Sequence, residues 1–223
     1  MIPRILLATA QVPDGGELRL FQRGAEFSIM LGANELMNSR LSGSEEALAE
    51  MTCDRIGARN AARMLIGGLG MGFTLRAALA RSAADAEIVV AELVPAVIDW
   101  ARGPMAAFHG DSLTDPRVRI TAEDVGALIA APAGGYDAIL LDVDNGPDGL
   151  TRAGNDRLYD ARGLDIARRA LRQGGVLAVW SSGPSPAFAR RLHEAGFAVD
   201  EVVVRATARQ RGARHVIWFA TRP

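Results

Sequence analysis

Cysteine is almost absent: Cys53 is the only one among 223 residues. One thiol cannot build an internal disulfide framework, and this usage fits a reducing compartment. Within "EMTCDRI" it falls on a helical pattern, where packing is its expected job. Long apolar runs are absent too, since none approaches the ~20 residues that span a bilayer. The opening "MIPRILLATAQVPD" has one Arg and an apolar stretch shorter than the ~7–15 residues of a signal peptide's core. The expectation is a soluble, cytoplasmic protein. Neither sign of charge is in excess: 25 Lys and Arg against 26 Asp and Glu leave a net charge of −1. That balance argues against a polyanionic partner and against an acidic tail. Histidines are few, and His109, His193 and His215 lack metal-ligand spacing, so no metal is expected. The segment "VVVRATARQRGARH" carries Arg205, Arg209, Arg211 and Arg214, but no aromatic residue is interleaved to stack on a base. It reads as a solvated hairpin loop, and nucleic-acid binding is not expected.

What is present is apolar material: 49% of the residues are hydrophobic, enough for a sizeable core. The length suits one domain, or one with a small appendage. Residues 1–60 form a first region. Its short β-like runs "RILLAT", "ELRLFQ" and "EFSIML" are separated by turn residues, and a linking helix over 42–57 follows. Ser42 or Ser44 is the expected cap of that helix and Gly57 its end.

Residues 61–223 alternate strand and helix patterns. The expected strands are "RMLIGG", "AEIVVAEL", "RVRITAED", "YDAILLDV", "VLAVWSS", "FAVDEVVVRA" and "RHVIWFATR". The helices between them include a single long one over 155–175, closed by Gly174 and Gly175. Such alternation implies a mostly parallel α/β sheet covered on both faces. The last two strands follow each other without a helix, as an antiparallel edge hairpin. That is the class I methyltransferase variation on the Rossmann-like, doubly wound theme.

In such a sheet, ligands bind at the carboxyl ends of the strands. The first such end is "MLIGGLGMGFTLRAAL", where Gly68, Gly70 and Gly72 alternate before a helix start. Tight strand-to-helix packing explains glycines of this kind as readily as a ligand does. The second strand shifts the balance: it ends in Glu92, about 20 residues on, the interval at which an acid meets ribose hydroxyls. The third ends in Glu123 and Asp124, which could present a carboxylate to an adenine amino group or simply start a loop. The fourth brings Asp142 to the rim, with Asp144 on the same face if the strand continues. A solvated turn reads "DNGPDG" equally well, since Asp, Asn, Gly and Pro are turn formers. A dinucleotide is disfavoured. The G-x-G-x-x-G pattern needs glycine at 73 or 75, where Phe73 and Leu75 stand. S-adenosylmethionine or its decarboxylated form fits better.

With these motifs in order, the sequence resembles the spermidine synthases, aminopropyltransferases with a class I methyltransferase-like fold and an N-terminal β domain. "LIGGLGMGFTLR" is similar to the family's "IIGGGDGGTLR", and "VVAELVPAVI" to "VEID..VI". "DPRVRITAEDV" is similar to "DPRV....GDG", and "YDAILLDVDNGP" to "YDVIIVDSSDP". The resemblance runs with gaps from about Glu17 to Gly196. It implies that Gly68, Gly70 and Gly72 shape the nucleoside turn and that Glu92 holds the ribose. It further implies that Asp124 meets the adenine edge with Leu93 or Val125 against the ring. Asp142, at the pocket and among the cofactor contacts, would help deprotonate the attacking amine.

The departures are specific. Met71 stands where the family has the loop aspartate that helps place the aminopropyl amine. Asn145, which cannot serve as a base, stands for the second acid of "DSSD", and nearby Asp144 is the candidate catalytic substitute beside Asp142, with Val143 interrupting the motif. The family's "DEFxYHEM" meets "SEEALAEM", which keeps Glu45, Glu50 and Met51 but puts Leu48 and Ala49 in place of Tyr and His. The nucleoside half is therefore retained and the polyamine half rebuilt. On that ground the expected reaction is methyl transfer to a small molecule, with aminopropyl transfer to a polyamine as the alternative. A non-catalytic adenosyl-nucleoside binding protein is the third reading, and a homodimer is among the assemblies the N-terminal unit allows.

Overall fold

The computed structural model describes residues 2–12, 16–131, 135–143, 146–147, 156–207 and 212–223. Four antiparallel strands come first: β1 (Ile5–Gln11), β2 (Glu17–Arg23), β3 (Glu26–Leu31) and β4 (Asn34–Asn38). Strand β4 was not expected. "NELMN" is mostly polar and too short to show alternation, and the free edge of β3 supplies its ladder, pairing Met30 with Glu35 and Leu31 with Asn34. The inner face of this sheet buries Leu18, Leu20, Phe27 and Ile29.

Helix α1 (Gly43–Ile56) follows and ends at Gly57, as expected. Its start differs from expectation. Ser42 holds the capping position but makes no side-chain cap bond. Ser44 lies inside the first turn, where its hydroxyl is engaged by other side chains.

The second sheet runs β10-β11-β9-β8-β5-β6-β7. Strands β5 (Arg63–Gly67), β6 (Glu87–Ala91), β7 (Val118–Thr121), β8 (Tyr136–Leu141) and β9 (Leu171–Ser181) are parallel. Strands β10 (Ala198–Arg205) and β11 (Arg214–Thr221) form the expected antiparallel hairpin. Helices α2 (Phe73–Arg81), α3 (Pro95–Arg102), α4 (Ala106–His109), α5 (Val125–Ala130), α6 (Asp156–Tyr159), α7 (Ala161–Ala170) and α8 (Pro186–Glu194) complete the layers. The fold is the α/β, methyltransferase-like one expected.

Alternation along the strands divides the core between the two faces. Leu65, Val89, Ile139 and Leu177 pack on one side. Met64, Ile66, Ile88 and Leu140 pack on the other, continuous with α1, α2 and the inner face of the first sheet. Every residue of β8 is buried, Asp137 included. Asp137 accepts from Arg59 and Arg172, each at 2.8 Å, and from the Arg63 backbone N–H.

The long helix expected over 155–175 is corrected. It divides at Asp160, whose carboxylate accepts from the Gly163 N–H at 2.7 Å and caps α7. Residues 171–175 then open β9, because Leu171 finds a partner in Tyr136 of β8. A sheet edge awaiting hydrogen bonds outcompeted helical periodicity there. Strands β6 and β7 stop earlier than their apolar patterns suggest, which leaves Glu92, Glu123 and Asp124 beyond the ladders.

Candidate active site

Strand β5 pairs with β6 on one side and with β8 on the other. The chain order reverses between β5 and β8, and that switch point opens a crevice at the strands' carboxyl ends. The glycine loop leaves β5 while still tied to both neighbours. The Gly68 N–H donates to the Ala91 carbonyl at 2.9 Å, and the Asp142 N–H donates to the Gly67 carbonyl at 3.1 Å. Gly68 has φ +90°, and a Cβ there would stand 2.7 Å from the Asp142 carbonyl oxygen. Gly72 has φ +71°, and its Cβ would stand 2.7 Å from the His109 ring. Strained dihedrals and missing space exclude larger residues at both positions. Gly70 faces the Met37 sulfur of β4, so the first sheet closes over the loop.

Glu92 is buried directly beside this loop. One carboxylate oxygen accepts from the Leu69 N–H at 3.0 Å and the other from the Val94 N–H at 2.9 Å. Burial raises its pKa, against these backbone donors. The Gly70 and Leu93 backbone groups add to this, so Glu92 is anchored to the loop by a cluster of N–H donors. At the next strand end Asp124 caps α5, one carboxylate oxygen accepting from the Ala127 N–H at 3.1 Å. Glu123 is exposed and accepts from the Thr121 hydroxyl. Val125 is buried beneath Gly67, and Leu93 is half-buried.

A cavity of about 140 Å³ opens on the other side of the loop. Leu36–Asn38 of β4, Glu45 of α1, Leu69–Phe73, Asp142 and Trp180 line it. Glu92, Leu93, Glu123, Asp124 and Val125 lie outside this lining. The structure thus brings Gly70, Gly72 and Asp142 together in one cavity, sets Gly68 against the Asp142 carbonyl outside its lining, and holds the other expected contacts along the neighbouring strand ends. Asp144 and Asn145 lie outside the described residues, as do Arg209 and Arg211.

Asp142 accepts from the Thr74 hydroxyl at 2.8 Å. Burial, and then the charge of Glu45, push its pKa up to about 7 against that hydrogen bond. Glu45 is raised too, by burial first, although the Ser44 hydroxyl donates to it at 2.6 Å. Two buried carboxylates facing one cavity raise each other's proton affinity, so ionising both is disfavoured. Such a pair attracts an ammonium group and can take a proton from it. Among the described residues no cluster of His, Cys, Asp or Glu could hold a metal, and no helix is long and apolar enough to cross a membrane.

Three sequence departures acquire places. Met71 keeps 4% exposure in the cavity wall, while Leu48 and Ala49 are fully buried in the core. Sequence reasoning missed the part played by Glu45, by β4 and by Thr74. Only Glu45 left a signal, as one of the acids kept from the family's "DEFxYHEM". Tyr159 packs edge-on to Phe188 in the core, whereas Trp180 reaches the cavity. His109 is buried with neither ring nitrogen hydrogen-bonded, and burial, then the charge of Arg76, bring its pKa down to about 4.

Comparison with known proteins matches the spermine/spermidine synthase domain over residues 44–190. A polyamine aminopropyltransferase of Mycobacterium tuberculosis is 34% identical over 145 residues, 61% of this chain and 27% of that protein. A second, polyamine aminopropyltransferase 2 of Pseudomonas aeruginosa, is 31% identical over 120 residues, 52% of this chain and 32% of that protein. The chain therefore matches between about a quarter and a third of the length of these relatives. The spermidine synthase structure from Thermotoga maritima superimposes with a TM-score of 0.73 at 15% identity, covering 98% of this chain and 72% of that one. A spermidine synthase in complex with the transition state analogue AdoDATO superimposes with a TM-score of 0.76 at 19% identity, over 98% and 74% of the two chains.

These matches overturn the expectation of methyl transfer, because the family and the relatives found are aminopropyltransferases. The expectation rested on what positions 71, 48 and 49 lack. It undervalued what the cavity retains, since Glu45 and Asp142 keep two carboxylates in it. With a matched span covering more than half of the sequence, the chain belongs to the spermine/spermidine synthase domain family.

Proposed function

We propose that the chain transfers an aminopropyl group from decarboxylated S-adenosylmethionine to a polyamine-type amine. The observation that carries this reading is the Asp142–Glu45 carboxylate pair in a cavity walled by the glycine loop. The relatives' names and the neighbour bound to AdoDATO support it. In this reading Gly68, Gly70 and Gly72 form the nucleoside turn, and Glu92 receives the ribose hydroxyls. Asp124 serves the adenine edge, with Leu93 and Val125 along the ring and Glu123 at the rim.

The reaction is an in-line displacement at a carbon that the sulfonium already activates. The protein's main contribution is therefore orientation. The acceptor ammonium gives one proton to Asp142, and its lone pair attacks the propyl carbon. The carbon–sulfur bond breaks, its electron pair stays on sulfur, and neutral methylthioadenosine leaves. The reading is tested by incubating the protein with decarboxylated S-adenosylmethionine and putrescine and following products by mass spectrometry. Spermidine and methylthioadenosine are expected in equal amounts. Donor binding without product from any di- or polyamine would instead leave a nucleoside-binding protein.

A further inference from the structure

Helix α1 docks by its first turn on the β10–β11 hairpin, where the Gly43 N–H donates to the Ala206 carbonyl at 3.0 Å. That contact sets Ser44 against His215, near the start of β11. The Ser44 hydroxyl is fully buried and lies 2.9 Å from Nδ1 of His215. The same hydroxyl lies 2.6 Å from Oε2 of Glu45, which faces the cavity with Asp142. Trp180 packs edge-on to the His215 ring at 4.8 Å and forms part of the cavity wall, which fixes the imidazole in place. His215 itself is only half-buried. A line of hydrogen-bonding groups thus leads from Glu45 in the cavity to the hairpin surface.

We propose that Ser44 and His215 form a proton exit, carrying to solvent the proton that Asp142 and Glu45 take from the acceptor amine. The inference rests on the aminopropyl-transfer reading. Each turnover leaves one proton on Asp142; it crosses the shared cavity to Glu45, and the next acceptor needs Asp142 discharged. Protonated Glu45 donates to Ser44 Oγ, the Ser44 hydroxyl proton passes to His215 Nδ1, and the imidazolium releases its Nε2 proton to water. Release leaves the ring proton on Nδ1, and the path is reset when exchange with water returns that proton to Nε2, so that bare Nδ1 again faces the Ser44 hydroxyl. Burial lowers the His215 pKa, so the ring is neutral and able to accept near pH 7. The other charges around the path are Glu46 on α1, whose charge raises Glu45 further, and Arg205 and Arg214, paired across the hairpin. Ser44 and His215 touch no substrate in this scheme and act through Glu45.

Two measurements decide it. The first needs no turnover: NMR titration of the His215 ring in the wild-type protein, Glu45→Gln and Asp142→Asn, with the signal assigned by its loss in His215→Gln. A connected path lowers the His215 midpoint in both variants by ~0.3 units or more, because each removes a negative charge from the line. An unmoved midpoint in both overturns the proposal. The second is the pH profile of kcat. His215→Ala is expected to lower kcat ~10-fold or more around pH 7 with KM unchanged, and added imidazole to restore it. Ser44→Ala is expected to lower kcat similarly without imidazole rescue. A His215→Ala variant with wild-type kcat, or one deaf to imidazole, overturns the proposal. If the wild-type protein transfers no aminopropyl group, the proposed function fails by itself, and the titration still decides whether the path is connected.

Discussion

The Thr74 hydroxyl of α2 donates to Oδ2 of Asp142 at 2.8 Å, joining the helix after the glycine loop to the end of β8. This bond favours the charged carboxylate and partly offsets the burial that raises its pKa. Thr74→Val removes the donor and keeps the shape. The Asp142 pKa should then rise above about 7. The acid limb of kcat/KM for aminopropyl transfer should move to higher pH, and the check is a pH series on the purified variant.

Asp142→Asn should separate stability from activity. The folded pKa of about 7 lies above the ordinary aspartate value of about 4, so between those limits the folded state holds the extra proton. Wild-type stability therefore falls as pH rises from about 4 through 7. The neutral amide escapes that loss. Urea unfolding should find the variant more stable at pH 8 by roughly 1–3 kcal/mol, discounted for the cavity's access to water, and equal to wild type below pH 4. Turnover should fall ~100-fold or more, since Asp142 is the group to which the proposed reaction first gives the amine proton.

Gly72→Ala should weaken both the loop and the donor site. The φ of +71° disfavours a side chain, and the new methyl would press on the His109 ring at 2.7 Å. A destabilisation of ~1–3 kcal/mol is expected in denaturant melts. His109→Ala in the same chain should return part of it by opening space. A Gly72→Ala protein as stable as wild type would show that the loop is not held against His109.

The charge at the other end of β8 is structural. Burial opposes ionisation of Asp137, yet the Arg63 N–H, Arg59 and Arg172 outweigh it and hold its pKa below the usual range. Its contribution is present above the unfolded pKa of about 4 and is lost as pH falls further. Asp137→Ala removes the buried partner of Arg59 and Arg172 and should lower stability by ~1–3 kcal/mol near pH 7, with the deficit shrinking below pH 3. The loss is less than for a fully buried pair because Arg59 keeps the Ile56 and Gly174 carbonyls and Arg172 reaches solvent. Thermal unfolding at the two pH values checks this.

Local pattern carried much of the architecture. Runs such as "RMLIGG" and "YDAILLDV" announce buried strands, and Gly68 and Gly72 announce a turn, because apolar runs and glycines act on their nearest neighbours in the chain. Strand β4 was not legible, since its ladder comes from β3. The start of β9 was hidden as well, because Leu171 is helical in pattern and extended only beside Tyr136.

At the site, the order of residues alone tells which strand ends carry acids and that the loop is built of glycines. Which of those acids meet depends on how the chain packs. Packing set Glu92 to accepting loop N–H groups and Asp124 to capping α5. It brought Glu45, from a helix almost a hundred residues earlier in the chain, into the cavity of Asp142. The physical reason is that a carboxylate's proton affinity depends on burial and on charges close in space, and neither quantity is written in the order of the residues.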